Sequence, residues 1–177
     1  MNAPTKTASE TPVLNGLRVI DAIKKAGIEY VLSVPDLHTS KGLLFPIAQD
    51  KDLKLIRVCK EDETIGISAG LSYGDKRALI LVQYTGLLYA MNALRAVGVE
   101  YKQPTCMMVG MLGLEPGVPP QKSKRWGLTI IEPILDVMGI PHHLIDSDAD
   151  LDKIGPAVDA CYKKPFPVVF LISRRPV

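Results

Sequence analysis

Apolar positions along this chain recur in two alternating periods, and the alternation predicts the order of its elements. Leu14, Leu17, Ile20 and Ile23 recur at intervals of three, close to the helical period, so Asn15 to Ala26 reads as a helix that stops at Gly27. Ile28 to Val34 is a strand broken by Pro35-Asp36, and Thr39 or Ser40 can cap a second helix carrying Leu43, Leu44 and Ile47. A strand over Leu55 to Val58 leads into a helix over Glu61 to Tyr73. Gly74-Asp75-Lys76 then turns the chain into Ala78 to Gln83, a nearly continuous apolar run of the kind buried on both faces of a sheet. Tyr84-Thr85-Gly86 reads as a short loop into a helix running through Val97, and Thr105 to Gly110 as another buried strand. Met111 to Gly127, with Gly113, Pro116, Gly117, Pro119 and Pro120, reads as a loop of about seventeen residues, a length that marks functional or mobile segments. A helix near Thr129 to Met138, a strand at His142 to Ile145, a helix over Leu151 to Tyr162 and a last buried strand at Val168 to Ile172 complete the pattern. Strict alternation predicts an α/β fold: a single doubly wound parallel sheet with helices on both faces and right-handed crossovers. One domain is expected over residues 13–177, after a flexible, polar N-terminal tail at residues 1–12.

Composition narrows the function classes. The chain has 177 residues, 47% hydrophobic and 23% charged, ordinary values for a globular domain with a full core. A net charge of +2, with lysines spread among acids, gives no basic stripe for nucleic acid. No run of 18 apolar residues predicts a membrane span, and the polar start does not read as a signal peptide, so a cytoplasmic protein is expected. The three cysteines, Cys59, Cys106 and Cys161, lack metal-ligand spacing and read as buried free thiols. His142 and His143 are adjacent on a strand and face opposite sides, a poor joint metal site, and no metal is expected on this chain. The glycine fingerprint of dinucleotide folds, the P-loop and the nucleophile elbow of hydrolases are all absent from the sequence.

The most informative run is Lys60 to Gly70, which follows a strand and opens a helix. It places a carboxylate, Glu61, outside the carboxyl end of a strand, where ligands sit in open α/β sheets. Glu61 can be a first-turn acid favoured by the helix dipole, or a positioned proton-transfer group.

The residues that follow resemble a known family. Glu61-Asp62-Glu63, then Gly66-Ile67-Ser68-Ala69-Gly70, then Asp75-Lys76-Arg77, an apolar strand, Gln83-Tyr84-Thr85-Gly86 and Asn92-Ala93-Leu94 are similar to the pyrimidine-binding domain of thiamin-diphosphate-dependent enzymes. The nearest resemblance is to the small alpha subunits of sulfopyruvate and phosphonopyruvate decarboxylases, with Val34-Pro35-Asp36 resembling the exit of the first strand. The resemblance implies a thiamin diphosphate-binding fold and a lyase, a decarboxylase of 2-oxo acids. It implies that Glu61 is the glutamate that activates the cofactor through its aminopyrimidine ring, with Asp62 and Glu63 facing solvent or a partner. It also implies that Gln83, Thr85 and Gly86 contact the cofactor.

Departures from the family pattern bear on the substrate. Tyr84-Thr85 stands where the family has Asn-Ser, and Leu88-Tyr89 where it has Gly-Asn, so the implied pocket, with Asp36 and Leu37 at its other side, is larger-walled and more apolar. A bulkier or aromatic 2-oxo acid or an acyloin then becomes as good a substrate as a sulfonate or phosphonate. His38 is a candidate replacement acid/base, and Lys122, Lys124 and Arg125 are either an anion grip or a solvated loop. The family binds the diphosphate and Mg²⁺ through a Gly-Asp-Gly motif that this chain lacks. A separate beta subunit carrying that domain is therefore implied, in a hetero-oligomer with the active site at the interface. The alternative is a catalytically silent thiamin-fold subunit, structural or regulatory, with Tyr84, Leu88 and Tyr89 filling the pocket.

Overall fold

A computed structural model describes residues 13–177, so the tail read at residues 1–12 lies outside the described residues. Six strands form one sheet in the order β2-β1-β3-β4-β6-β5, and every neighbouring pair is parallel. They are β1 (Tyr30–Ser33), β2 (Lys54–Arg57), β3 (Ala78–Gln83), β4 (Cys106–Gly110), β5 (His142–Ile145) and β6 (Val168–Ile172). From β1 the chain runs outward to β2, then returns to place β3 on the other side of β1. The direction of winding therefore switches between β1 and β3, and loops leaving their carboxyl ends diverge to leave a crevice. The alternating, helix-interrupted pattern predicted this α/β architecture.

Side chains of the central strands alternate between two cores. Val31, Leu79, Leu81, Met108 and Phe170 face α1 (Gly16–Lys25), α2 (Phe45–Gln49) and α8 (Ile154–Lys163). Leu32, Ile80, Val82, Val109 and Leu171 face α3 (Glu61–Tyr73), α4 (Tyr84–Tyr89), α6 (Trp126–Thr129) and α7 (Ile131–Val137). Burial on both faces is why β3, β4 and β6 read as unbroken apolar runs. The helix ends follow local chemistry: the Asn15 side chain accepts the Arg18 amide at the start of α1, and Gly27 takes φ +77° just beyond its end. No helix among the described residues is long and apolar enough to cross a membrane.

Four expectations are corrected. Tyr84-Thr85-Gly86 is no loop: α4 begins at once after Gln83, whose extended backbone (φ −94°, ψ 170°) serves as the cap. The helix expected to run through Val97 is divided into α4, α5 (Met91–Ala93) and a wider π-helical stretch, Leu94–Glu100, and another π turn, Ser40–Leu44, precedes α2. The long loop carries a 3₁₀ turn at Pro120–Lys122 and is tied across its base, where Glu115 accepts from Ser123 Oγ (2.7 Å) and the Lys124 amide (3.1 Å). Cys106 and Cys161 are buried as expected, but Cys59 is exposed, because it lies just past the end of β2 at the rim of the sheet.

The C-terminal residues return across the carboxyl ends of the strands and pair with the start of α1, Val177 N–H donating to Leu14 O and Gly16 N–H to Val177 O. Gly42 lies so close beneath this tail that an added Cβ would stand 2.1 Å from the Pro176 carbonyl oxygen. Backbone cannot yield there as a side chain can, so Gly42→Ala is expected to cost about 3 kcal/mol in urea unfolding. Gly66, on the open side of α3, has nothing within 4 Å of such a Cβ. Gly66→Ala is expected to raise stability by about 0.5–1 kcal/mol in the same assay through helix propensity.

Candidate active site

Several of the residues singled out in the sequence lie just beyond the carboxyl ends of β1, β2 and β3. Glu61 is the first residue of α3 and is half-buried, and its carboxylate has no hydrogen-bond partner among the described residues. Glu63 does the capping instead, accepting the amides of Cys59 (3.0 Å) and Lys60 (3.2 Å). With Glu63 committed to the helix end, the Glu61 side chain is left to lie across Gly86 in the first turn of α4. A Cβ built on Gly86 would stand 2.6 Å from Glu61 Cγ and 2.7 Å from its Oε1. Glycine at this position is therefore a spatial requirement of the carboxylate.

Gln83 stands one turn earlier, at the end of β3. Its Nε2 donates to Thr85 Oγ1 (2.6 Å), while its Oε1 is buried with no partner among the described residues. A buried amide oxygen left open can still accept a hydrogen bond. Asp62, expected to face solvent or a partner, is half-buried, and its Oδ1 is likewise buried without a partner. Ser68 Oγ, further along α3, is a third such atom, one that sequence reasoning missed. A polar residue among the small residues of a helix gives no sign of which face it occupies.

The turn after β1 is organised by Asp36. Its carboxylate accepts the amides of His38 (2.6 Å) and Thr39 (2.7 Å) and the Thr39 hydroxyl (2.5 Å), so it holds the turn together. Leu37 is 79% exposed at the tip. His38 is only 5% exposed and packs on Gly110 at the end of β4, where an added Cβ would come within 3.0 Å of its own Cβ. Neither ring nitrogen of His38 makes a hydrogen bond of good distance and angle among the described residues, although the Ile172 and Arg174 backbone lies beside the ring. Burial holds its pKa below the usual imidazole value, outweighing the upward pull of the Asp36 carboxylate and the Ile172 backbone.

The sign of the resulting pH dependence follows. A group whose pKa is lowered in the folded chain takes up its proton more readily when unfolded, so its contribution to stability is complete above the ordinary imidazole value and fades as pH falls through it. Burial lowers His143 in the same direction. Stability in urea is expected to drop between about pH 7.5 and pH 5.5, and His38→Gln to make that drop shallower.

The structure brings Glu61 and Gly86 into contact and sets Gln83 and Thr85 beside them in sequence and space. It does not bring His38 into one cavity with them: His38 lines a separate cavity of about 700 Å³ that Arg125 also borders. Lys122 and Lys124 are exposed. Tyr84 packs against Gly127, where an added Cβ would meet its ring at 2.9 Å; Leu88 is half-buried against the α3/α4 core; Tyr89 is 55% exposed. Among the described residues no group of three or more His, Cys, Asp and Glu could hold a metal ion.

No protein-family model matches the chain. Over 160 residues it is 32% identical to the sulfopyruvate decarboxylase subunit alpha of Methanocaldococcus jannaschii, covering 89% of this chain and 92% of that protein. The corresponding subunit of Methanococcus maripaludis is 33% identical over 95 residues, 54% of this chain and 56% of that one. A sulfopyruvate decarboxylase of Methanosarcina acetivorans is 29% identical over 97 residues, 55% of this chain but 24% of that longer protein. A relative that is 32% identical across nearly the whole of both chains shows the family. The chain belongs to the family of sulfopyruvate decarboxylase alpha subunits.

Proposed function

We propose that this chain is the alpha subunit of a two-subunit, thiamin-diphosphate-dependent 2-oxo acid decarboxylase or related carbon–carbon lyase, active only with its partner. The contact between Glu61 and Gly86 carries the reading. It supports a carboxylate aimed across a space that any larger residue at position 86 would fill. The residues present fit an aminopyrimidine: Glu61 offers a carboxyl to a ring nitrogen, and the open Gln83 Oε1 offers an acceptor to an exocyclic amino group. When bound, thiamin diphosphate supplies the electron sink for loss of CO₂ from a 2-oxo acid. Glu61 would hold and return the proton shared with the ring nitrogen, and Gln83 and Thr85 would orient the ring. The apolar wall beneath α4 limits the water that reaches them.

The rest of the cofactor is assigned to a beta subunit. This chain carries no Gly-Asp-Gly. A partner with that motif would hold the diphosphate and Mg²⁺, closing the active site at the interface. The length of the Methanosarcina acetivorans relative, of which this chain matches only 24%, supports an enzyme that needs a second unit of comparable or greater size. The relatives are named for sulfopyruvate, and Tyr84, Leu88 and Tyr89 widen the assignment here to bulkier or aromatic 2-oxo acids and acyloins. Affinity capture of the tagged chain from its native cell, with mass spectrometry, tests the partner. A chain carrying Gly-Asp-Gly in equal amount is the expected result, and recovery of the chain alone would overturn the two-subunit reading.

A further inference from the structure

Two glycines flank the start of α4, and backbone conformation explains neither. Gly86 lies inside α4 and Gly127 inside α6, and neither takes a positive φ. Glycine in ordinary helical backbone is a net cost to stability, so its presence there calls for a reason in space. At Gly86 the reason is the Glu61 side chain. At Gly127 it is Tyr84. A Cβ built on Gly127 would stand 2.9 Å from Tyr84 Cε2, and the three nearest atoms outside its own helix all belong to Tyr84.

Tyr84 is the first residue of α4, and the hydrogen bond from Gln83 Nε2 to Thr85 Oγ1 (2.6 Å) closes the turn across it. Neither α4 nor α6 has a side-chain cap. Each is anchored in the same core by one fully buried leucine, Leu87 or Leu128. One such leucine fixes the depth of a short helix and leaves its rotation open, and the Tyr84 ring on Gly127 supplies a second point of contact. The far side of that contact is itself held. Gly127 follows the long loop, whose end is fastened to its beginning: Arg125 lies over Gly113, where an added Cβ would stand 2.2 Å from Arg125 Nε, and Glu115 accepts from Ser123 Oγ and the Lys124 amide. Met111, at the start of the loop, donates its amide to Ile172 O at the end of β6. A displacement at Gly127 is therefore passed to Tyr84 rather than absorbed by slack in the loop.

We propose that Tyr84 is a positioning residue for the cofactor turn, its ring seated on Gly127 so that the frame of the long loop presents Gln83, Thr85 and Gly86 to Glu61. This rests on the proposed function and adds to it a residue that acts without touching the reacting atoms. The ring edge makes the contact, since Cε2 is the nearest atom and the hydroxyl oxygen stands at 3.7 Å. The ring, and not the hydroxyl, is the part required.

Titration calorimetry of the assembled pair with thiamin diphosphate, beside melting temperatures and NMR of the full-length chain, tests the assignment. Gly127→Ala and Tyr84→Ala are each expected to weaken thiamin diphosphate binding by about tenfold and to shift the Gly86 amide resonance. Gly127→Ala should melt within about 5 °C of the wild type, so that the loss is one of placement and not of folding. Tyr84→Phe keeps the ring and should bind thiamin diphosphate within about twofold of the wild type. The double variant Tyr84→Ala/Gly127→Ala should bind no more weakly than Tyr84→Ala, because the added methyl then meets no ring. A wild-type pair that binds no thiamin diphosphate would overturn the proposed function and this assignment with it. With wild-type binding intact, an unmoved Gly86 amide in Gly127→Ala, unchanged affinity in both alanine variants, or a loss in Tyr84→Phe equal to that in Tyr84→Ala would each overturn the assignment alone.

Discussion

Glu61→Gln is expected to lower turnover of the assembled enzyme by about 10²–10⁴-fold, the contribution of a positioned proton-transfer group. Assembly with the partner and thermal stability should both survive. The side chain makes no hydrogen bond within the described residues, and the helix start is capped by Glu63, so the amide removes no structural tie. Parallel measurement of kcat and of complex mass by light scattering checks both halves. Unchanged kcat would leave Glu61 as an ordinary first-turn acid and favour the silent-subunit reading.

Gly86→Ala is expected to give a similar loss by a different route. The added methyl would overlap Glu61 Cγ and Oε1, at 2.6 and 2.7 Å. These atoms belong to a flexible side chain, so the fold can relieve the clash by swinging Glu61 away, and the melting temperature should change little. The carboxylate, however, then leaves its position, and a misplacement of about 1 Å can cost on the order of 10²-fold in rate. A large loss of kcat in a protein of near wild-type stability is the predicted signature. A variant that unfolds, or one that keeps its activity, would show that Gly86 serves packing alone. The double variant Glu61→Gln/Gly86→Ala should be scarcely worse than either single one, because both remove the same function.

Much of the fold was legible in the sequence because its strongest signals are local. The bounds Glu61–Tyr73, Ala78–Gln83, His142–Ile145 and Val168–Ile172 follow from apolar runs cut by turn residues or from a strand handing over to a helix. The start of α4 was not legible. Gly86 looked like a loop residue, whereas its purpose is to let α4 approach the Glu61 side chain. The π-helical stretches carry no periodic signature distinct from an ordinary helix. At the site, the place of Glu61 at a strand-to-helix junction pointed to it directly, and Pro35-Asp36 announced a turn. Asp36 and Leu37, read as pocket residues, lie at the brace and the exposed tip of that turn. The burial of His38 could not be read locally, since it depends on Gly110 and on a C-terminal segment that returns from more than a hundred residues away.

Under the proposed function this chain and a partner together release CO₂ by thiamin-dependent chemistry. The most direct test is CO₂ release from sulfopyruvate and from phenylpyruvate by the co-purified pair, before and after thiamin diphosphate and Mg²⁺ are removed and restored. Turnover of at least one of these acids is expected to vanish on removal, to return on restoration, and to be absent from this chain by itself. Turnover indifferent to thiamin diphosphate, or equal turnover by the isolated chain, would contradict it.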